Sequence, residues 1–502
     1  MPSPVAGTSG QAALSGIGDR RTVDEVNEQQ DERGMTATES MMWHIEADPW
    51  MSPSGGSITI FDRPLDVPRL RRLITNAVGS VPRLRQRVVE PATPLGTPHW
   101  TTDHELDLDW HVRHIGAPGD GTLRDLLDWT APWLQDPYDR TRPLWQYVAI
   151  DKLADGRGAL AMKLHHVVTD GYGAVRLAGA YTAKRPDADD PIETDVAALL
   201  AAETELPPGL AEQVRGVMAE ALRVPAGATR AIADALGHPE RLGALRKQLD
   251  DLTRTASDTM HGAGSTLWAT RSRRRQLQAL SVPFDAAHDA AKALGGSVND
   301  FFVAGAVDGA ARYHDELGAA LERLHISFVV STRGTATGPQ NAFTPVPVDV
   351  PTGPMSPAER FGVVRDLLHQ RREEVHGGGP IANVAMVANL LPTSVVTSIA
   401  RSQAAHIDFA TSNLPGFLGD SYVAGARVEH TYVFGPVAGT AFNLTAYSTA
   451  GSLDLGIQLD PAAVAEPARL RECMERAYAE LLSAATPKSR RTTKATKATP
   501  RH

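Results

Sequence analysis

At 502 residues the chain exceeds what one compact core ordinarily holds, so its length predicts two or three folded units. A hydrophobic content of 42% and a charged content of 22% place it among globular proteins, and a net charge of -9 argues against nucleic acid as a partner. Its single cysteine, Cys473, excludes an internal disulfide and any cysteine-based metal site, which fits a reducing compartment.

Residues 1–34 are rich in Gly, Ser, Asp, Glu and Gln and show no sustained apolar period, which predicts a disordered N-terminal segment. They lack the charged start and apolar core of a signal peptide. At Met35 the pattern changes. Thr38 offers a helix cap ahead of Met41, Met42 and Trp43, so the folded part is expected to begin there, and Met35 is an alternative translation start.

From residue 35 to 187 the texture is α/β. Ser57 to Phe61 reads as a strand, and Asp66 to Val78 reads as a helix with Leu70, Leu73 and Ile74 on one face. The alternation from Leu106 to Trp110 predicts another strand, as do the apolar runs Trp145 to Ile150 and Gly158 to Leu164. Residues 188–265 change to Ala, Leu, Glu and Arg, broken by Pro207-Pro208 and Pro225, and read as a helical connector. A second α/β half is expected over 266–485. Its strands are Leu277 to Val282, His325 to Ser331 and Leu453 to Leu459, and its helices are Val298 to His314 and Pro467 to Leu482. Residues 486–502 form a basic tail, read as a solvated end or as a segment drawn to anionic lipid.

No stretch reaches the roughly 20 consecutive apolar residues of a membrane span. The nearest, Pro380 to Ala400, is interrupted by Asn383, Asn389 and Pro392. A cytoplasmic location is expected, with peripheral attachment to a membrane or lipid droplet left open.

The segment with chemical content is Leu164-His165-His166-Val167-Val168-Thr169-Asp170-Gly171-Tyr172-Gly173, where a short strand runs into two histidines, an Asp-Gly turn and a helix beginning near Ala174. Successive strand side chains point to opposite faces, so if the strand runs through the pair only one histidine can face a given cavity. An imidazole with an ordinary pKa of about 6.5 suits a general base, and its partner then packs or orients. Asp170 can close the loop by accepting backbone hydrogen bonds or by pairing with an arginine. Gly171 and Gly173 permit positive φ or close approach of another segment. Metal ligation and an ordinary strand end are the competing readings of a histidine pair. Helical His-Glu-x-x-His spacing, a serine-nucleophile G-x-S-x-G, a P-loop and a complete G-x-G-x-x-G are all missing from the sequence.

These residues resemble the HHxxxDG motif of acyl-CoA-dependent acyltransferases and of peptide-synthetase condensation domains. Arg142-Pro143-Leu144-Trp145 resembles the PLW motif of bacterial wax ester synthase/diacylglycerol acyltransferases. Ser297-Val298-Asn299-Asp300 resembles their VND helix start, and Thr411-Ser412-Asn413-Leu414-Pro415-Gly416 their SNxPG segment. The four stand in the family's order over roughly residues 36 to 483. The resemblance implies two chloramphenicol-acetyltransferase-like halves with mixed sheets flanked by helices and an active site between them. It implies His166 as base, with His165 and Asp170 in the same catalytic loop and Asp170 orienting it. It also implies Gly171, Asn299, Asp300, Ser412 and Asn413 as channel-lining residues and Pro143, Leu144 and Trp145 as structural.

The implied reaction carries a fatty acyl group from acyl-CoA, as co-substrate, to a hydrophobic alcohol or diacylglycerol, with no cofactor and no metal. Transfer from carrier-protein thioesters and a non-catalytic lipid-binding role are the alternatives. Two stretches depart from the family's usual pattern: Ser52-Pro53-Ser54-Gly55-Gly56, where His-x-Gly-Gly is usual, and Gln340-Asn341, where Gly-Asn is usual. Both bear on the acyl acceptor. The cluster Arg271, Arg273, Arg274 and Arg275 reads as a solvated strand edge or as a contact for CoA phosphates. Asn299-Asp300 reads as a helix cap or as channel lining.

Overall fold

In the computed structural model, which describes residues 34–46, 48, 50–52, 54–91, 97–203, 264–331, 343–376 and 393–485, the first helix, α1 (Ala37–Ile45), is capped by Thr36 and not by Thr38. Thr36 accepts from the Glu39 N–H while the Glu39 carboxylate accepts from the Thr36 N–H. The reason lies three residues on: Thr36 has Glu39 to complete the reciprocal pair, whereas Thr38 has Met41.

The chain continues through β1 (Ser54–Phe61), α2 (Val67–Ser80), the short pair β2 (Gln86–Val89) and β3 (His99–Thr102), and α3 (Leu108–His111). Next come β4 (Val112–Gly116), α4 (Leu123–Gln135), β5 (Trp145–Asp151), β6 (Gly158–His165) and α5 (Gly171–Gly179). The alternation at 106–110 does not make a strand. Asp107 accepts from the N–H groups of Asp109 and Trp110, so this local bond nucleates one helical turn and the strand starts at Val112. A short helix, α6 (Val196–Ala202), follows, and Glu203 just after it binds Arg85 and Thr102. Most of the expected connector, 204–263, lies outside the described residues, as do 1–33, Gln340-Asn341, 380–392 and the basic tail.

The later elements are β7 (Gln276–Pro283), α7 (Phe284–Ala293), α8 (Val298–Glu316), β8 (Arg323–Ser331), β9 (Phe343–Pro351), α9 (Pro357–His376) and α10 (Thr393–Ala404). They end with β10 (Phe409–Leu414), β11 (Tyr422–Val423), β12 (Ala426–Phe434), β13 (Phe442–Thr449), β14 (Ser452–Leu459) and α11 (Pro467–Ala485). Two six-stranded sheets result, in the orders β11-β12-β1-β6-β5-β4 and β7-β14-β13-β10-β8-β9. Each is mixed: β4 and β5 are parallel in the first, and β10 runs parallel to both β8 and β13 in the second.

The strand pair β11–β12 comes late in the chain yet belongs to the first sheet, where β12 pairs with β1 from Gly56↔Phe434 to Phe61↔Val428. One face of β12 also packs against β13 and β14, so this strand joins the two sheets. A buried carboxylate closes the junction. Asp454 on β14, fully buried, accepts from Thr431 N–H at 2.8 Å, from the hydroxyls of Ser281, Thr449 and Ser452, and lies 2.9 Å from His430 Nδ1. A buried charge is tolerated only when its acceptor capacity is met, and five partners from β7, β12, β13 and β14 meet it here.

The hydrogen bond that His430 donates to Asp454 holds the His430 pKa above its usual value, against burial, with Asp454's charge adding to the rise. A raised imidazole pKa contributes stability that is complete below about 6.5. That contribution is lost as pH rises through the higher folded value. Asp454→Ala should lower unfolding stability by about 3–5 kcal/mol, read from denaturant midpoints. His430→Gln should flatten the pH dependence of that midpoint above neutrality, and an unchanged profile would remove His430 from the junction's titration.

Candidate active site

Strand β6 ends at His165, which is fully buried. Its Nδ1 accepts from the Val167 N–H at 3.1 Å, so the proton sits on Nε2, which faces Glu46 Oε2 at 3.1 Å. Tyr138 and Trp43 stand edge-on to its ring, at centroid distances of 5.5 and 6.1 Å. Burial pushes the Glu46 carboxyl up, but the hydrogen bonds it accepts from His165 and Arg140, together with the Arg140 charge, outweigh it and hold its pKa below the usual value. Arg140 also lies over the Trp43 ring, 3.9 Å from its centroid. His165 therefore works as an anchor between β6 and the end of α1, and is not turned toward substrate. Glu46, Tyr138 and Arg140 carried no motif in the sequence, and only three-dimensional proximity marks them.

His166, one residue on, turns to the other side and lines a cavity of about 600 Å³. Burial pulls its imidazole pKa down to about 4, His165 pushes the same way, and Asp170 opposes them. The loop behind it is built locally. Val168 N–H bonds the His165 carbonyl, and buried Asp170 caps α5 by accepting from Gly173 N–H at 2.9 Å. Of the two closures open to Asp170, the backbone bond is made. A Cβ on Gly171 would lie 2.6 Å from Leu414 Cδ2 and would require that side chain to move, and at Gly173 one would run into Thr169 Oγ1. Close approach, not positive φ, is what these two glycines provide.

The other motifs fall into place around this loop, but not all on the cavity. Leu144 carbonyl accepts from the His165 N–H, and Trp145 pairs with Leu164 while its indole N–H donates to the Leu84 carbonyl. Pro143, Leu144 and Trp145 thus fix the end of β6 from behind. Ser412 and Asn413 line the cavity. Asn299 and Asp300, expected in the channel, do not. Asp300 is buried in a reciprocal cap with Ser297, accepting from the Ser297 N–H and hydroxyl at 2.8 Å. Asn299 touches the site only through Asn413, whose Nδ2 donates to Asn299 Oδ1 at 3.2 Å. Helix capping captured these residues because they occupy the first turn of α8.

The arginine cluster also lies away from the cavity lining. Arg273 and Arg274 are exposed, Arg271 donates to the Gly439 carbonyl, and Arg275 sits 3.8 Å from Asp460. Among the described residues, no group of three or more His, Cys, Asp or Glu could hold a metal ion, and no helix is long and apolar enough to cross a membrane.

Of the remaining walls, Gly55 and Gly56 belong to the stretch that departs from His-x-Gly-Gly, and the others came from no motif. Helix α1 supplies Met41, Met42 and Ile45, and β1 supplies Gly55, Gly56, Ser57, Thr59 and Phe61. A methyl group on Gly55 would stand 3.9 Å from His166 Nε2, so the second glycine pair borders the base. Strands β12 and β13 add Val428, Thr431, Asn443, Thr445 and Tyr447.

The wax ester synthase/diacylglycerol acyltransferase catalytic-domain family matches residues 35–302, and the WS/DGAT C-terminal domain matches residues 340–482. A Mycobacterium tuberculosis protein provisionally named a diacylglycerol O-acyltransferase is 32% identical over 460 residues, covering 89% of this chain and 91% of its own length. A second from that species, provisionally given the same name, is 26% identical over 87% of this chain and 92% of its own. The wax ester synthase/diacylglycerol acyltransferase structure from Marinobacter aquaeolei VT8 superposes with a TM-score of 0.63 at 20% identity, over 90% of this chain and 99% of that one. The first condensation domain of the calcium-dependent antibiotic synthetase gives 0.55 at 19% identity, over 90% and 96%. These two likenesses carry the fold.

Replacing Asp170 by Ala removes the α5 cap and should cost about 1 kcal/mol of stability, whereas Asn, an equally good cap, should cost much less. Urea melts of the two variants check this, and equal losses would mean that Asp170 holds the loop by something other than its cap.

Proposed function

The chain belongs to the wax ester synthase/diacylglycerol acyltransferase family, and we propose that its acceptor is diacylglycerol, acylated from acyl-CoA to give triacylglycerol. Acyl transfer to a lipid is the family's reaction. The provisional names of the mycobacterial relatives support diacylglycerol over a long-chain alcohol. The observation that carries the mechanism is a single imidazole, His166, facing a cavity walled mostly by apolar side chains, with the first residues of α5 beside it.

In this reading the His166 imidazole takes the acceptor's hydroxyl proton as that oxygen attacks the thioester carbonyl carbon. The carbon–sulfur bond breaks as the carbonyl re-forms, and the imidazolium gives its proton to the departing CoA thiolate. Each proton and electron pair is accounted for without a covalent acyl-enzyme. The amide end of α5, at Gly171 and Tyr172, carries partial positive charge and lines the cavity, where it suits the charge developing on the carbonyl oxygen. Ser412 and Asn413 face the same space from the second sheet and serve as positioning groups. His165 and Asp170 act through His166 and through the loop. The acceptor and the donor's tail are both lipids, which fits work at a membrane or lipid droplet surface.

Release of CoA from palmitoyl-CoA, with diacylglycerol or hexadecanol as acceptor, tests the reaction and its acceptor together. His166→Ala should lower turnover by about 10²- to 10⁴-fold. Near-normal turnover from a folded variant would overturn the assignment, and a preference for hexadecanol would make the product a wax ester. Because burial pulls His166 to about 4, its base form is present above that pH. Acceptor-dependent kcat/KM should therefore stay flat from neutrality downward and fall only as pH drops through about 4. An acid limb near 6.5 would show that the base is not this buried imidazole.

A further inference from the structure

Behind the base, β6 carries a charged side chain that the mechanism above does not use. Lys163 lies two residues before His165 and on the same face of the strand, opposite Leu160, Met162 and Leu164, which line the cavity. It is 2% exposed, and a lysine is almost never so buried unless its ammonium is matched. An ammonium has three donors, and three acceptors surround this one. Nζ donates to the Trp133 carbonyl at 2.9 Å and to the Asp136 carbonyl, and it stands over the Tyr138 ring, 4.6 Å from the centroid. The two carbonyls belong to the end of α4, where a helix leaves acceptors unmatched and gathers negative partial charge.

From Asp136 the chain runs straight into the surroundings of His165. Tyr138 stands edge-on to the His165 ring, Arg140 donates to the Glu46 carboxylate that faces His165 Nε2, and the Leu144 carbonyl accepts from the His165 N–H. Three of the contacts that fix this imidazole therefore come from, or are held by, one segment, 136–144. That segment is fastened to β6 at its start by Lys163 and at its end by Leu144.

We infer that Lys163 is a positioning residue for acyl transfer: its ammonium holds segment 136–144 against β6, and through it the plane of His165 and the aim of His166. The assignment rests on the acyl-transfer reading above.

The geometry has a consequence on the alkaline side. Burial pulls the Lys163 pKa down to about 8, and the charges of Asp136 and Glu46 oppose the fall. Tyr138 stays neutral in this range, since burial and the Glu46 charge hold its pKa well above the ordinary value. His165 shares the Lys163 face, and the strand neighbours Gly56 on β1 and Gln146 on β5 carry no charge. Below about 8 the ammonium is present and the segment is held. Above it the neutral amine loses its attraction for the carbonyls and the ring. Wild-type kcat should therefore fall as pH rises through about 8, far from the limb of His166 near 4.

Lys163→Met keeps the length and removes the charge. Because a base misplaced by about 1 Å costs up to about a hundredfold, its kcat at pH 7 should fall about ten- to a hundredfold. KM should stay near wild type, since Lys163 is not part of the cavity wall, and the alkaline limb should vanish. Tyr138→Leu removes the ring shared by Lys163 and His165 and should lower kcat in the same way. Wild-type kcat in either folded variant, or a limb near 8 that persists in Lys163→Met, overturns the inference. Should neither variant fold, a wild-type kcat that stays flat to about pH 10 overturns it.

A readout independent of turnover uses protein labelled with 15N-histidine. His165 keeps its proton on Nε2 because Nδ1 accepts from the Val167 N–H, and its nitrogen signals are assigned by their loss in His165→Gln. They should move as pH rises through about 8 and in Lys163→Met, and signals unchanged in both overturn the inference. If they move while the wild-type protein releases no CoA with either acceptor, the acyl-transfer reading fails and the tie from Lys163 to His165 stands.

Discussion

A β-strand turns consecutive side chains to opposite faces, and His166, the first residue of the turn after β6, keeps the side that Leu160, Met162 and Leu164 present to the cavity, while His165 at the strand's end takes the other. His165 enters the interior, where Val167, Glu46 and two aromatic rings fix its tautomer and its plane. His166 emerges on the cavity side. The same alternation, carried back along β6 and across to β1 and β12, makes one continuous wall of Leu160, Met162, Ser57, Thr59 and Val428. The position of the base and the shape of the space in front of it thus have one origin.

The second dependence is on the junction of the two sheets. Strand β12 hydrogen-bonds within the first sheet and packs on the second, and Asp454 converts that packing into a set of directed bonds. The β12 wall is tied to the His166 loop by the ladder β12-β1-β6, and the Asp454 bonds add a tie from β13 and β14 to that same strand. Closer to the base the halves meet through contact alone: Leu414 occupies the space that a side chain on Gly171 would need.

Burial sets the electrostatics as well. His166 and His111 are both pulled down to about 4 by desolvation, so each is neutral near pH 7. Their surroundings distinguish them. His111 stacks on Trp145 and bonds its carbonyl in the interior, while His166 opens onto the cavity.

Much of this protein was legible in its residues. The histidine pair, the Asp-Gly turn and the apolar run before them specified a strand, a loop and a capped helix, because those signals act over a few neighbouring residues. Apolar periodicity predicted β1, β5, β6, β7, β8 and β14 and the helices α2, α8 and α11 for the same reason, but not β9, β10, β12 or β13. One local signal misled, the alternation at 106–110, which yielded to the Asp107 cap; of the two readings of Asn299-Asp300, the helix start is the one that formed. What periodicity and motif spacing do not contain is which distant segments face each other. Glu46 under His165, Gly55 beside His166 and β12 inside the first sheet are each decided by packing between elements. Such contacts leave no period or spacing in the chain, because the partners meet through burial and steric fit, which only the folded structure brings about.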